Sequence, residues 1–506
     1  MSAGRHRFVI LGGGTAGWMA ACLIAKRCGA RADVTLVESP EIGIIGVGEG
    51  STPQLKALFD ELGIAEAEWM PCCNATYKNG IRFHGWSEAP GFDSYFHPFQ
   101  GELDAHTAPS FFLQTRARRT GRDVAAHPDR FFLSTRLATA RLGPIPAENF
   151  PFELGYGYHF DSQLVGEFLR GHATTKLAVQ HLSRKVESAR LNESGGISAL
   201  VLDGGEELAG DFFIDASGFR AALIGQALDE PFESFASNLF NDAAVAMPSL
   251  REQGAATPCE TSSIALECGW MWRIPLTGRT GNGYVYSSRY LDADAAETEL
   301  RGRLGLLDAD VPARHLKMRV GQVRRSWVSN CLAIGLAQGF IEPLEATALH
   351  IVHSTVSGFL DAYLAAGFGR NHADTFNASI HARYEGIRDY IVCHYRMNRR
   401  SDSQYWRDNA ANQALSDNLK AVITSWFRGG DLEAEVQALG IERYYAPLSW
   451  HCLLAGYGQF PEAAKLRPPE ADLPLADLGR IDRFLDRCSL NFAPHDDLLA
   501  RLAQAQ

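Results

Sequence analysis

Phe8-Val9-Ile10-Leu11 is an unbroken apolar run of strand length, followed by Gly12-Gly13-Gly14-Thr15-Ala16-Gly17 and then by a helical pattern from Trp18 to Arg27. This order predicts a buried strand, a glycine turn and a helix. Each glycine has a role in such a turn: Gly12 permits the tight bend, Gly14 lets the backbone approach a pyrophosphate, and Gly17 lets the helix pack against the strand, with the helix N-terminus facing the anion. A second apolar strand, Asp33 to Val37, ends at Glu38. An acid about twenty residues beyond such glycines can accept hydrogen bonds from a ribose hydroxyl and favours an adenosine ribose without a 2′-phosphate.

The same reading finds further buried strands along the chain. Gly210 to Arg220 predicts one that ends in a tight turn at Asp215 to Gly218. Cys331 to Gly335 predicts another, reaching a loop from Leu336 to Leu344 and then a long helix beginning near Glu345. Ala75 to Phe83 is a strand-like run broken by the hairpin dipeptide Asn79-Gly80, with Lys78 just before the turn. In Gly269-Trp270-Met271-Trp272-Arg273-Ile274-Pro275 the tryptophans occupy alternate strand positions, so both indoles share one face and can form a rigid apolar wall. Gly46-Val47-Gly48-Glu49-Gly50-Ser51-Thr52-Pro53 reads as a glycine-hinged loop leading into a helix capped by Ser51. Helical patterns dominate after about Thr375, including an aromatic-rich stretch from Arg443 to His451.

Length and composition narrow the class. A chain of 506 residues predicts two to three domains or one large domain with insertions, and 46% hydrophobic with 21% charged residues is the balance of a folded globular protein. Acidic residues outnumber basic ones, 59 to 48, for a net charge of -11, which argues against nucleic acid as a partner. The short basic run of Arg116, Arg118, Arg119 and Arg122 reads as a solvated face. Ten cysteines lie without paired spacing and the adjacent Cys72 and Cys73 form no CxxC, as expected for reduced thiols in a cytoplasm. The apolar segment from Phe8 to Ala25 is interrupted by four glycines, so neither a membrane span nor a signal peptide is expected there. His350 and His353 stand at helical spacing without a third ligand, so no metal is expected.

Several of these segments together resemble the flavin-dependent tryptophan halogenase family. Trp270 to Pro275 matches its W-x-W-x-I-P signature, and Pro343-Leu344-Glu345-Ala346-Thr347 matches its P-L-E-x-T core. The Asp215 and Gly335 strands resemble the nucleotide-contacting segments of flavin monooxygenase-type folds. The likeness is good over the first three quarters of the chain and weakens after about Thr375. It implies an α/β architecture, an FAD-binding Rossmann-like fold of the flavin monooxygenase type with a mostly helical C-terminal substrate region. The expected division is a core over residues 1–375 and a substrate-covering region over 376–506.

The resemblance also implies a chemistry. Reduced FAD (FADH2), with O2 as cosubstrate, would form a C4a-hydroperoxide whose distal oxygen is attacked by bromide or chloride. The resulting hypohalous acid would pass to Lys78, which holds it by hydrogen bond or forms a haloamine; desolvation of a buried lysine leaves both open. Glu345 would assist electrophilic substitution on an indole-type ring, whether tryptophan, indole or a derivative. The backbone N–H groups of Thr347 and Ala348, in the first turn of a helix, would hold the halide. Trp270 and Trp272 would keep the substrate from the flavin. Cofactor contacts are expected at Gly12, Gly14, Thr15, Ala16, Gly17, Glu38, Gly48, Glu49, Val186, Asp215, Gly335 and Leu349.

No second dinucleotide fingerprint is present, so a separate NAD(P)H-dependent flavin reductase is the expected partner, and the family suggests a homodimer. This chain departs from the wider pattern at three places. Leu336 stands where many flavoproteins place an Asp, which removes one expected grip on the ribityl chain. Ala346 and Ala348 stand where the family carries Ser and Gly, which alters pocket shape and bears on halide preference. The competing readings are an aromatic hydroxylase, in which substrate meets the hydroperoxide directly, and a non-catalytic flavin-binding protein.

Overall fold

Parallel pairing at the first strand organises the N-terminal part of the molecule. In the computed structural model, which describes residues 5–41, 48–252, 254–470 and 475–504, the chain forms two compact units, each assembled from separated segments. One comprises Met1–Ala75, Phe160–Ala236 and Lys317–Tyr384, the other Thr76–His159, Ser237–Leu316 and Glu385–Gln506.

In the first unit, His6–Leu11 lies inside a six-stranded sheet, parallel to Ala32–Glu38 on one side and to Phe212–Asp215 on the other. Gln180–Ser183 and Cys331–Ala333 extend the parallel array, and Trp327–Val328 closes one edge antiparallel. The central stretches Phe8–Leu11, Phe212–Asp215 and Cys331–Ala333 are buried throughout, which is why they read as apolar runs rather than alternating ones. Helix Thr15–Cys28 follows the glycine turn and buries Trp18 to Ile24 almost without exposure. A smaller antiparallel sheet, Val186–Leu191, Ile197–Leu202 and Glu207–Ala209, shares a core with Val9, Val37 and Phe213.

Helix Ala348–Ala365 is fixed to this sheet by aromatic rings: Phe359 and Tyr363 pack on Phe212 with centroids 4.8 Å away in each case, and Trp327 meets Phe359 edge-on at 4.9 Å. Such pairs add to the apolar burial of the helix and restrict its rotation. Gln338 binds the preceding loop to the same helix, donating to the Thr355 hydroxyl at 3.1 Å and to the Ser326 hydroxyl at 3.0 Å.

The second unit is built on a larger, mainly antiparallel sheet. Ala243–Ser249, Thr280–Tyr286, Gly269–Pro275, Thr261–Leu266, Gly80–His84 and Ser94–Pro98 lie side by side in that order, with Thr261–Leu266 parallel to Gly80–His84. Residues 404–504 of this unit are mostly helical, with helices such as Asp417–Phe427, Pro447–Gly456 and Leu478–Ser489 and a single short strand, Phe492–Pro494, among the described residues. The expected solvated basic face is only partly so. Arg119 is buried, donates to the Trp426 and Gly430 carbonyls and lies 4.5 Å above the Trp426 ring, so it serves the C-terminal end of helix Asp417–Phe427. Among the described residues no helix is long and apolar enough to cross a membrane, and no group of three or more His, Cys, Asp and Glu is placed to hold a metal.

Candidate active site

All of the predicted nucleotide contacts fall in the first unit. Leu11 pairs with Val37 on one side and Asp215 on the other, so the glycine turn, Glu38 and the Ala216–Ser217 turn emerge together from three adjacent parallel strands. Open parallel sheets bind nucleotides at that edge. Gly12 has φ +117°, and a Cβ there would overlap the Ala216 carbonyl. A Cβ on Gly17 would overlap the Gly12 carbonyl, so this glycine is required by the turn's own backbone more than by the strand. Around Gly14, by contrast, a Cβ would meet nothing within 4 Å. The helix that starts at Thr15 has no side-chain cap, which leaves its first amides as donors toward that open space.

Gly13 was not singled out by the sequence pattern, yet it is where the Glu38 carboxylate sits, in the space a Cβ would fill. Glu38 Oε1 lies 2.8 Å from His181 Nε2. Open room at Gly14, uncapped amides and a carboxylate beside the turn fit the pyrophosphate and ribose of FAD.

Several other expected contacts have different surroundings from those the pattern suggests. The Asp215 carboxylate is fully buried and spent on its own turn, accepting from Ser217 N and Oγ and from Leu223 N and Ile224 N. What it offers a nucleotide is therefore the shape of the 216–217 backbone. Val186 is packed in the core with Leu202 and Phe213, so only its main chain is available to a ligand. The Thr15 hydroxyl donates to the Ser162 carbonyl at 3.0 Å. Gly335, at φ +58°, brings the start of its turn so close to helix Thr15–Cys28 that a Cβ would sit 3.0 Å from that of Ala16.

Gly48–Gly50 forms a short strand, and burial raises the Glu49 carboxyl to about 7 against the opposing hydrogen bond of Ser162. Gly46 and Val47 of the expected hinge lie outside the described residues. The helix that follows starts at Gln54 with Pro53 in the cap position, so Ser51, which is buried, is not its cap.

The expected helix start near Glu345 is corrected. Glu345 ends a separate short turn, Pro343–Glu345; Ala346 then adopts a left-handed conformation at φ +56°, Thr347 is the cap, and the helix runs Ala348–Ala365. A left-handed residue cannot continue a right-handed helix, so the Glu345 carboxylate is not a first-turn partner of the helix dipole. Thr347 is buried, Ala348 exposed and Leu349 half-buried, and no side chain caps the first amides of this helix. His350 and His353 lie in the same helix; burial lowers the His350 pKa to about 4, while His353 faces Glu61 at 3.6 Å.

Lys78 and the tryptophans belong to the second unit. Lys78 has 0% exposure. The hairpin expected at Asn79-Gly80 does not form. Thr76–Lys78 pairs antiparallel with Gly157–Asp161, Lys78 opposite Gly157, while Gly80–His84 joins the large sheet, so the dipeptide carries the chain from one sheet to another. Gly80 is required because a Cβ would overlap the His97 carbonyl and the Phe96 ring, not because of turn conformation. Asn79 is held by Leu142 and Cys259, its Nδ2 donating to the Leu142 carbonyl at 3.0 Å. Lys78 Nζ stands 5.2 Å from the Phe99 ring centroid, a cation–π distance.

Trp270 and Trp272 share one face of an inner strand of the large sheet, with ring centroids 6.2 Å apart. Trp272 is opposite Gly283, and a Cβ on that glycine would overlap the indole, so the missing side chain gives the ring its bed. The two indoles thus share one face, as their alternate positions predict.

The residues that the sequence pattern missed are those that hold the lysine strand. Thr76 Oγ1 lies 3.0 Å from His159 Nδ1 and donates to the Pro275 carbonyl at 2.8 Å; His159 Nε2 lies 3.0 Å from Thr261 Oγ1. Tyr77 N donates to His495 Nε2 at 3.1 Å, and His495 Nδ1 is 3.1 Å from the Thr257 carbonyl. Both histidines are buried, and both are held neutral: burial, the Lys78 cation and His495 push His159 well down, and burial lowers His495 to about 4. Nothing in the local pattern of Gly157-Tyr158-His159-Phe160 marks the imidazole; only its partners do.

Comparison with known proteins agrees with this geometry. The family profile described as tryptophan halogenase matches residues 7–469. The 7-chloro-L-tryptophan 6-halogenase KtzR of Kutzneria sp. (strain 744) is 36% identical over 501 residues, covering 93% of each chain. Among solved structures, the tryptophan C-6 flavin-dependent halogenase (chlorinase) from taromycin biosynthesis superposes with a TM-score of 0.86 at 34% identity, over 98% of this chain and 100% of that one. A flavin-dependent halogenase from Xanthomonas campestris gives a TM-score of 0.83, also at 34% identity, over 98% of both chains. With the glycine turn, the paired indoles and the buried lysine all in place, the chain is a member of the tryptophan halogenase family and a flavin-dependent halogenase.

Proposed function

We propose that this protein brominates or chlorinates an indole-type ring, with Lys78 presenting the electrophilic halogen and Glu345 assisting loss of the ring proton. Reduced FAD and O2, when bound, supply the oxidising equivalent that turns halide into that electrophile, and a separate NAD(P)H-dependent reductase supplies the reduced flavin. The observation that carries the reading is the complete burial of Lys78 on a short strand. Lysine is almost never fully buried without a reason, because removing an ammonium from water is costly.

In this reading each unit contributes chemistry that its own residues can perform. The backbone N–H groups of Thr347 and Ala348, at a helix start that no side chain caps, hold the halide, as backbone donors there favour an anion. Lys78 donates hydrogen bonds from its ammonium to a hypohalous oxygen, or as the free amine takes up the halogen. Glu345, buried at the end of its turn, takes the proton from the cationic ring, and stabilises that charge in a site from which water is excluded. Trp270 and Trp272 deny the aromatic substrate access to the flavin, which separates oxidation of halide from oxidation of substrate. Family membership removes the hydroxylase reading. In this reading residues 376–506 cover the substrate. Relatives act on tryptophan, and that amino acid or an indole derivative is the substrate class proposed here.

The test is a reconstituted reaction with flavin reductase, FAD, NADH and either halide, read by mass spectrometry for halogen isotope pairs on tryptophan and indole. Lys78→Ala is expected to abolish halogenated product while flavin reoxidation continues. Normal halogenation by that variant overturns the lysine assignment.

A further inference from the structure

The strand that carries Lys78 has no main-chain pairing with the large sheet that carries Trp270 and Trp272. Apart from the chain itself, which crosses through Asn79, a line of side-chain hydrogen bonds joins them. Thr76 donates its one hydroxyl proton to the Pro275 carbonyl, which has no proton to give, at the end of the tryptophan strand. The Thr76 oxygen must then accept from His159 Nδ1–H, and a neutral imidazole so oriented leaves Nε2 to accept from the Thr261 hydroxyl. Proton direction along the whole line is thereby fixed: Thr261 to His159, His159 to Thr76, Thr76 to Pro275.

Register places this line beside the lysine. Thr76 is opposite His159 and Lys78 opposite Gly157. Side chains two apart on a strand share a face, so Thr76, Lys78 and His159 project together, with His159 on the diagonal to Lys78. Thr76, His159 and Lys78 are each wholly buried, so the line cannot exchange its partners for water.

We infer that His159 is a positioning residue: through Thr76 it sets Lys78 at a fixed place relative to the tryptophan strand, so that the halogen meets substrate instead of escaping. This rests on the lysine reading proposed above. A second consequence follows from the same geometry. A protonated His159 would place a cation beside Lys78, and the neutral tautomer that the line requires avoids it.

Substitutions separate hydrogen bonding from bulk. His159→Asn keeps an N–H donor near the Nδ1 position and so preserves the link to Thr76. His159→Gln keeps a polar atom only near Nε2, and His159→Phe and Thr76→Val remove the link while keeping volume. Halogenated product per flavin reoxidised, free hypohalous acid caught by an added scavenger, and kcat and KM for the aromatic substrate are to be measured for each. Phe, Gln and Val variants are expected to lose about tenfold to a hundredfold in kcat, the scale of a misplacement of about 1 Å, with KM little changed and free hypohalous acid rising as product falls. Asn is expected to recover most of that loss.

Wild-type coupling in both His159→Phe and Thr76→Val overturns the inference, as does an Asn variant no better than Phe. If His159→Phe does not fold, Thr76→Val carries the same test. Lys78→Ala is the control: if it halogenates normally the lysine reading falls and this inference with it. Abolished halogenation in Lys78→Ala beside unaffected His159 and Thr76 variants overturns this inference alone.

Discussion

The glycine turn of the first unit and the lysine strand of the second are built on opposite plans. At the turn, position is set by backbone: three parallel strands end together, and Gly12, Gly13 and Gly17 are there because a carbonyl or a carboxylate occupies the place of their Cβ. At the lysine strand, position is set by side chains drawn from distant parts of the chain, with His159, Thr261, Pro275 and His495 gathered around three residues. A backbone site tolerates almost any side chain that fits and fails when a Cβ intrudes. A site held by side chains tolerates changes of bulk and fails when a donor or acceptor is lost.

The largest effect expected from this contrast is at Lys78. Lys78→Met keeps the length and apolar body of the side chain and removes the ammonium. Halogenation is expected to fall by about a thousandfold or more, at the upper end of what one acid–base or nucleophilic group supplies, while FAD affinity measured by fluorescence is unchanged. A matching loss of FAD affinity would show that the two regions are not separable and would break the comparison.

Gly12→Ala tests the other plan. The new methyl group would overlap the Ala216 carbonyl and hold an L-residue at φ +117°, a conformation open in practice to glycine alone. FAD affinity is expected to fall about a hundredfold, since relieving a strain of roughly 3 kcal/mol must displace either the glycine turn or the 216–217 turn. Equal affinity in the variant would mean that these turns do not hold the nucleotide.

The two plans also differ in how far sequence reveals them. The nucleotide end was legible because its parts are local: an apolar run, a glycine cluster and an acid at a set distance appear in order within Phe8 to Glu38. The tryptophan wall was legible for the same reason, since period-two alternation alone puts both rings on one face. Asn79-Gly80 misled because the dipeptide has two uses. It signals a hairpin by its conformational freedom, but here Gly80 is selected by close packing against Phe96 and His97, a contact invisible until the sheets are assembled. Glu345 was placed in a helix because nothing in Glu345-Ala346-Thr347 announces a left-handed alanine. His159 and His495 were missed outright: an imidazole in an ordinary strand or at a helix start carries no signal until Thr76, Thr261 and Thr257 are beside it.

A smaller effect sharpens the contrast through pH. His495 is neutral in the fold, with its pKa lowered by burial to about 4 against an ordinary 6.5. Between those values the unfolded chain binds the proton and the folded one does not, so stability is full above about pH 6.5 and is lost as pH falls toward 4, with no further change from this group below that. The loss amounts to on the order of 3 kcal/mol for a group this buried. His495→Asn is expected to lower the melting temperature at pH 7.5 but to flatten its fall between pH 6.5 and 4.5. A variant whose melting temperature falls as steeply as the wild type over that range would place the acid sensitivity elsewhere.

The smallest effect concerns a left-handed bend next to a site residue that the first unit makes with a non-glycine. Ala346, at φ +56°, separates Glu345 from the cap of helix Ala348–Ala365. A left-handed L-residue costs roughly 1–2 kcal/mol, whereas glycine costs about 0.4–1 kcal/mol through the greater freedom of the unfolded chain. The first term is the larger, so Ala346→Gly should stabilise by about 0.5–1 kcal/mol, read as a rise of a degree or so in melting temperature. The same change loosens the link between Glu345 and the amides at the helix start, and kcat should fall about twofold to fivefold, under about 1 kcal/mol of transition-state stabilisation. Stability rising while turnover falls would show that the strained alanine is retained for its rigidity. Both rising together would mean that Glu345 is positioned by something other than this bend.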